Sequence, residues 1–174
     1  MKRAMAFACL VALTSPACAE AVGKTAPPIA TEAQREAIAL RVRGGASCAS
    51  CDLFQIDLSY ADLGGRDFSG ARIAQSDLSL AAAEHTRFRG ANLTLANLFG
   101  VRMSGADLTD ANLDHAMLVG AELAGARMAG AVLTGANLSG AAMNAASGLT
   151  QAQLNRACGD SSTALPPGLT VPRC

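Results

Sequence analysis

Tryptophan is absent from this chain of 174 residues, and aromatic side chains make up only 3% of it. That excludes a core of large interlocking rings, so any interior must be built from small and aliphatic groups stacked in a regular way. Net charge is missing as well, since 14 basic residues balance 14 acidic ones. Nucleic acid is thereby disfavoured as a partner, because holding phosphates requires clustered Lys and Arg. No apolar run is long enough to cross a bilayer. The length suits one domain with short appendages.

The first nineteen residues read as an export signal: a basic start (Met1, Lys2, Arg3), the short apolar run "AMAFACLVAL", and "ACA" (Ala17, Cys18, Ala19) in the small-x-small form that signal peptidase cuts. Cleavage after Ala19 is expected, leaving a mature chain from Glu20 in the periplasm or secreted, with no integral membrane segment. Lipid attachment at Cys18 needs a small-residue box before it, and "TSPAC" is a poor one. Removing the leader leaves 12 basic and 14 acidic residues and four cysteines, Cys48, Cys51, Cys158 and Cys174. An even number in an exported chain reads first as two disulfides.

What the sequence does have is a period of five. From Cys51 to Ala145 it divides without an insertion into nineteen units, CDLFQ through AAMNA, with a large apolar residue third and usually Ala first. A five-residue repeat walks the apolar position about 140° around a helix at each step, smearing any stripe. In a continuous strand an odd repeat flips it to the opposite face each time. The chain must therefore turn a corner once per unit. Positions one and three point inward, position two (often Asp, Asn or Arg) points out, and positions four and five, rich in Gly, Ser, Thr and Ala, make the bend.

These units, as in "ANLTL", "ANLFG", "ADLTD" and "ANLSG", closely resemble the pentapeptide-repeat proteins. The resemblance implies an all-β class: a right-handed quadrilateral β-helix of twenty residues per coil, here about 4.75 coils and a rod roughly 23 Å long. The inward columns are then Leu53, Ile73, Leu93, Leu113, Leu133; Leu58, Leu78, Leu98, Leu118, Leu138; Leu63, Ala83, Met103, Leu123, Met143; and Phe68, Phe88, Leu108, Met128. Ala83 interrupts the third, so the coil containing "AAAEH" is expected to be the least regular. The outward column Asp67, Arg87, Asp107, Arg127 alternates in charge and reads as a ladder of surface ion pairs, each worth well under about 1 kcal/mol.

A solenoid needs its ends covered. Thr31 with Gln34 forms a capping box and Gly44 a stop, predicting a helix from Glu32 to Arg43. Thr150 with Gln153 predicts a second, running through Cys158 to a stop at Gly159, after which "LPPGLTVPRC" folds back in extended form. The organisation is thus a signal at 1–19, a linker at 20–30 containing Pro27 and Pro28, an N-terminal helical cap at 31–50, the repeats at 51–145 and a C-terminal cap at 146–174. With twenty residues per coil, Cys48 and Cys51 lie at one end of the rod and Cys158 and Cys174 at the other, some 20 Å apart. A zinc site using all four is excluded, and local pairs Cys48 with Cys51 and Cys158 with Cys174 are expected.

Chemistry is thin. "CASC" (Cys48, Cys51) invites a periplasmic thiol-redox reading, but such a motif sits at a helix N-terminus in a βαβ sheet, and Cys51 opens a repeat instead. "CASCD" also lacks the His of a haem attachment motif. His85 and His115 belong to the third and first sides and face apart, and Asp114 beside His115 reads as a surface pair. No Ser, His, Asp constellation or phosphate loop occurs, so neither an enzyme nor a cofactor is expected. Some pentapeptide-repeat proteins mimic duplex DNA and inhibit gyrase; that role needs a strongly acidic cytoplasmic rod, whereas 51–145 holds 10 acidic and 6 basic residues. The preferred reading is a scaffold or protein-interaction module, with a second copy of the chain among the partners to consider. Its surface would be Phe54, Tyr60, Leu80, Leu95, Phe99, Met117 and Val119, all at positions that ought to be polar, forming a contiguous patch unless a terminal cap covers part of it.

Overall fold

Residues 31–174 are described by a computed structural model; the signal at 1–19 and the linker at 20–30 lie outside the described residues. From Cys51 onward one local structure repeats. At all but two of the corners the N–H of the first position donates to the carbonyl of the preceding third position, as from Ala96 to Leu93 at 3.0 Å, closing a four-residue turn; Ile56 donates instead to Ser76 Oγ at 3.2 Å. Position five has positive φ from Gln55 to Gly140, between +53° and +70°, which a type II turn demands of its third residue.

Four turns close a coil. Each second-position residue bridges in parallel register to the residue twenty further on, from Asp52 with Arg72 to Arg127 with Ser147. Side 1 begins at residue 51, side 2 at 56, side 3 at 61 and side 4 at 66, and each recurs every twenty residues. Three bonds tie each side to its neighbours, as from Leu93 N to Asn112 O (2.7 Å), Asn92 N to Ala71 O (2.9 Å) and Leu95 N to Asp114 O (2.9 Å). The β-structure consists of single-residue bridges, because a corner interrupts the chain before an extended strand can form.

The third-position columns fill the axis. From Leu53 to Met143 every member is buried with at most 1% of its surface exposed, and the Ala side chains of position one close the gaps between them. Each buried Leu contributes about 2 kcal/mol relative to exposure. The rung register around Ala83 is undisturbed, against expectation: Leu63 N to Ala82 O is 2.6 Å and Ala83 N to Arg102 O is 2.7 Å, while the corner bonds from Arg66 to Leu63 and from Thr86 to Ala83 are long, at 3.3 and 3.4 Å. Backbone pairing sets the rung spacing, so a small side chain need not disturb it. On the adjoining side of the same coils the rings of Phe68 and Phe88 stack with centroids 5.6 Å apart.

Helix α1 spans Glu32–Arg43, with the Thr31 and Gln34 capping box formed. Only Val42 is fully buried and Leu40 is 72% exposed. Arg66 occupies an inward first position in the first coil, where a charge would be costly, and donates from Nη1 to Val42 O at 2.7 Å, at the carbonyl end of α1. Helix α2 is shorter than its sequence suggests, spanning Gln151–Leu154. It cannot run through Cys158 because that residue has re-entered the ladder: Cys158 N bonds Ala136 O and Leu138 N bonds Cys158 O. The pairing continues from Ala142 to Ala164 and from Gly159 to Arg173, so the tail lays a further rung beyond 145.

Candidate interaction surface

The backbone accounting leaves one donor per unit, the N–H of position four, without a backbone partner. All ten Asp and Asn residues at position two supply it, each accepting from the N–H two residues on, as in Ser59 to Asp57 (2.9 Å), Thr94 to Asn92 (3.0 Å) and Ser139 to Asn137 (3.0 Å). Position two therefore caps the next corner as well as facing outward. The effect on acidity is direct. The Ser59 hydroxyl and N–H hold the Asp57 carboxyl below its ordinary value, and those of Ser69 do the same for Asp67. For Asp107 the largest influence, desolvation, pushes upward, but Thr109 and Arg127 together overcome it and the net shift is down.

Where position two is not Asp or Asn, Arg often stands there and pairs with a carboxylate one rung away, as Arg72 does with Asp52 at 3.3 Å and Arg102 with Glu84 at 3.1 Å. The expected ladder Asp67, Arg87, Asp107, Arg127 contains one such contact, between Arg127 and Asp107. Met117 and Val132 offer neither service, and both are exposed.

Met117 lies in the middle of side 2. Phe99 and Val119 are at position four, and Tyr60 and Leu80 at position five, of the corner that side 2 shares with side 3. Leu95 is at the opposite corner, where side 1 meets side 2. Tyr60, Leu80, Leu95, Phe99 and Met117 are between 43% and 76% exposed, and Val119 is half-buried. Phe54 differs, being half-buried under the Arg72 guanidinium, 4.1 Å from its ring centroid. Tyr60, Leu80 and Leu95 hold φ between +57° and +58°, a region bulky residues rarely enter. Leu80 also reaches along the axis over Gly100, where an added Cβ would come within 2.7 Å of it.

Charge is partitioned to match. Side 2 carries Asp57 and Asp77 and no cationic residue, while side 3 carries Asp62, Glu84 and Glu122 against Arg102 alone. On sides 1 and 4 five acidic residues meet five arginines, so the whole net charge of the repeats, four negative, belongs to the two sides flanking the apolar corner.

The residues with chemical potential are scattered. His115 Nδ1 lies 3.1 Å from Asp114 Oδ2 on side 1, and His85 is on side 3. No group of His, Cys, Asp and Glu is arranged to hold a metal among the described residues, nor is any of their helices long and apolar enough to cross a membrane. Cys48 is bonded to Cys51 and Cys158 to Cys174. A cleft of about 640 Å³ separates α1 from the first coil, lined by charges of both signs from Glu32, Arg35, Glu36, Arg43 and Asp57.

This architecture defines a class of fold, a parallel solenoid of five-residue sides around an axis of stacked aliphatic and aromatic side chains. The profile of the pentapeptide repeats matches residues 46–81, 76–114 and 106–147, and the chain belongs to that family. Among solved structures, the pentapeptide repeat protein Rfr23 from the cyanobacterium Cyanothece 51142 is similar in fold, with a TM-score of 0.57 and 23% identity over 68% of this chain and 90% of that one. HetL, a pentapeptide repeat protein involved in heterocyst differentiation regulation from Nostoc sp. strain PCC 7120, is 27% identical over 70% of this chain and 58% of its own (TM-score 0.38). A pentapeptide repeat protein from the Arabidopsis thaliana thylakoid lumen is 31% identical over 53% of this chain and 70% of its own (TM-score 0.33). No curated protein matches in sequence.

Proposed function

We propose that the chain is an exported, non-catalytic scaffold that holds a protein partner on the outside of its solenoid, with α1 and α2 serving as end caps on a right-handed coil. The observation that carries this reading is the placement of Tyr60, Leu80, Leu95 and Met117. Each stands where the repeat is locally better served by Gly or by Asp and Asn, and such departures from local preference concentrate where function requires them. Export to the periplasm follows from the leader at 1–19 and is part of the same proposal.

The competing readings fit less well. Duplex DNA carries one negative charge per about 1.7 Å of axis, whereas four net charges over roughly 23 Å give one per about 6 Å. A thiol-redox role at Cys48 and Cys51 is disfavoured because the pair follows the carboxyl end of α1, where the dipole opposes a thiolate. A photocrosslinker placed at Phe99 in cells should give a discrete protein adduct in the periplasmic fraction, and one at Arg89 on side 4 should not. Absence of any adduct from any side, or an uncleaved N-terminus, would count against the reading.

A further inference from the structure

We propose that side 2 and the corner it shares with side 3 receive a cationic amphipathic α-helix from a protein partner, lying along the solenoid axis. The inference rests on the interaction-module reading above and adds the surface and the chemistry of its occupant.

Apolar contact comes from Tyr60, Leu80 and Phe99, which rise one coil at a time along the corner, with Met117 beside them on side 2. Charge selects the partner's sign. Asp77 borders the ridge on one side and Asp62 and Glu122 on the other, while Asp57, at the α1 end, is already paired with Arg43 at 3.3 Å and the one cation of side 3, Arg102, is engaged by Glu84 at 3.1 Å. A helix with Lys or Arg along both edges of an apolar stripe satisfies both borders.

Pitch selects the conformation. Rungs repeat at about 4.8 Å, and a helix presents a residue to one line about every 5.4 Å, so three steps accumulate a mismatch of only about 2 Å. An extended peptide presents one every 6.6–6.8 Å and slips by about 6 Å over the same distance. Shape favours a narrow partner: a side about 10 Å wide and 23 Å tall matches the breadth of one helix about 10 Å across and a length of roughly fifteen residues at 1.5 Å each.

The test is selection of a displayed random-peptide library against the full chain with its disulfides intact, counter-selected against Phe99→Asp. Enriched peptides should pair Lys or Arg with aliphatic residues at helical spacing. They should bind Met117→Asn and Leu80→Asp about tenfold or more weakly, and weaken as salt rises. Enrichment of neutral or acidic sequences, or binding that the substitutions leave unchanged, overturns the proposal. So does a dimer in sedimentation that dissociates with Phe99→Asp, since the occupant is then a second copy, and so does preferential capture of duplex DNA. If the peptides fail while the Phe99 crosslinker still gives an adduct, the helix proposal falls and the scaffold reading stands.

Discussion

Asn97 and Met117 stand in register on consecutive coils of side 2, bridged as a parallel pair, and only one of them secures the corner that follows. Asn97 Oδ1 accepts the N–H of Phe99 at 3.2 Å, and its amide donates to Asp77 at 3.1 Å. The thioether of Met117 is a poor acceptor, and the N–H of Val119 has no hydrogen-bond partner among the described residues. Replacing Met117 with Asn should restore the missing bond at the cost of little buried apolar surface. The expected gain is about 1 kcal/mol, or roughly 3 °C in melting temperature. Asn97→Ala should lose a similar amount. A melt in which Met117→Asn is less stable than wild type would show that Met117 serves the fold and not a partner.

Two glycines separate backbone strain from crowding. At Gly65 φ is +67° and an added Cβ would meet nothing within 4 Å, whereas at Gly148 φ is +77° and the Cβ would come within 2.7 Å of Ala129 N and 2.8 Å of its Cβ. Gly65→Ala should therefore cost about 1–2 kcal/mol, the strain alone, and Gly148→Ala distinctly more, because backbone must move. Equal losses in denaturant titrations of the two variants would contradict the close approach at Gly148.

The features legible in the sequence are the ones set by neighbours along the chain. The five-residue beat from Leu53 to Met143 fixes which residues turn inward, and α1 begins and ends where Thr31, Gln34 and Gly44 place it because a capping box is a local device. Tertiary pairing governs the rest. Helix α2 is cut short by bonds from Cys158 to Ala136 and Leu138, and Arg66 becomes understandable only when Val42 lies above it. Around Ala83, backbone pairing between successive coils keeps the spacing that the loss of side-chain volume would otherwise disturb. The capping role of Asp and Asn at position two could have been found, since these residues commonly bond the N–H two residues on. The apolar positions of the surface were readable from the repeat, but the acidic borders emerge only when the sides are laid out by coil.

The two disulfides close loops of different length, with separations of 3 for Cys48 to Cys51 and 16 for Cys158 to Cys174. Loop-closure entropy assigns about 2 kcal/mol to the first and about 3 kcal/mol to the second. The second also pins the last rung, in which Gly159 N bonds Pro172 O and Cys174 N bonds Gly159 O. Cys174→Ser should lower the melting temperature more than Cys51→Ser, and should expose the amides of 159–174 to hydrogen exchange while the central coils stay protected. Uniform loss of protection along the solenoid would mean that the C-terminal rung holds the whole rod together.

Acid should weaken the corners. Asp57, Asp67 and Asp160 are held below the ordinary value of 3.8 chiefly by the hydroxyls of Ser59, Ser69 and Ser162, and Asp107 by Thr109 and Arg127 against the opposing pull of desolvation. A carboxyl whose value is lowered in the folded state binds fewer protons there than in the unfolded chain, so its stabilisation is complete above the unfolded value and is lost as pH falls through the folded one. Melting temperature should thus be level from pH 7 down to about 5 on this account and drop below about 4. Asn at positions 57, 67 and 107 keeps an oxygen for the N–H of position four but cannot titrate, and the triple variant should lose less stability than wild type between pH 5 and 3. Parallel acid profiles would place the acid sensitivity outside these three carboxyls.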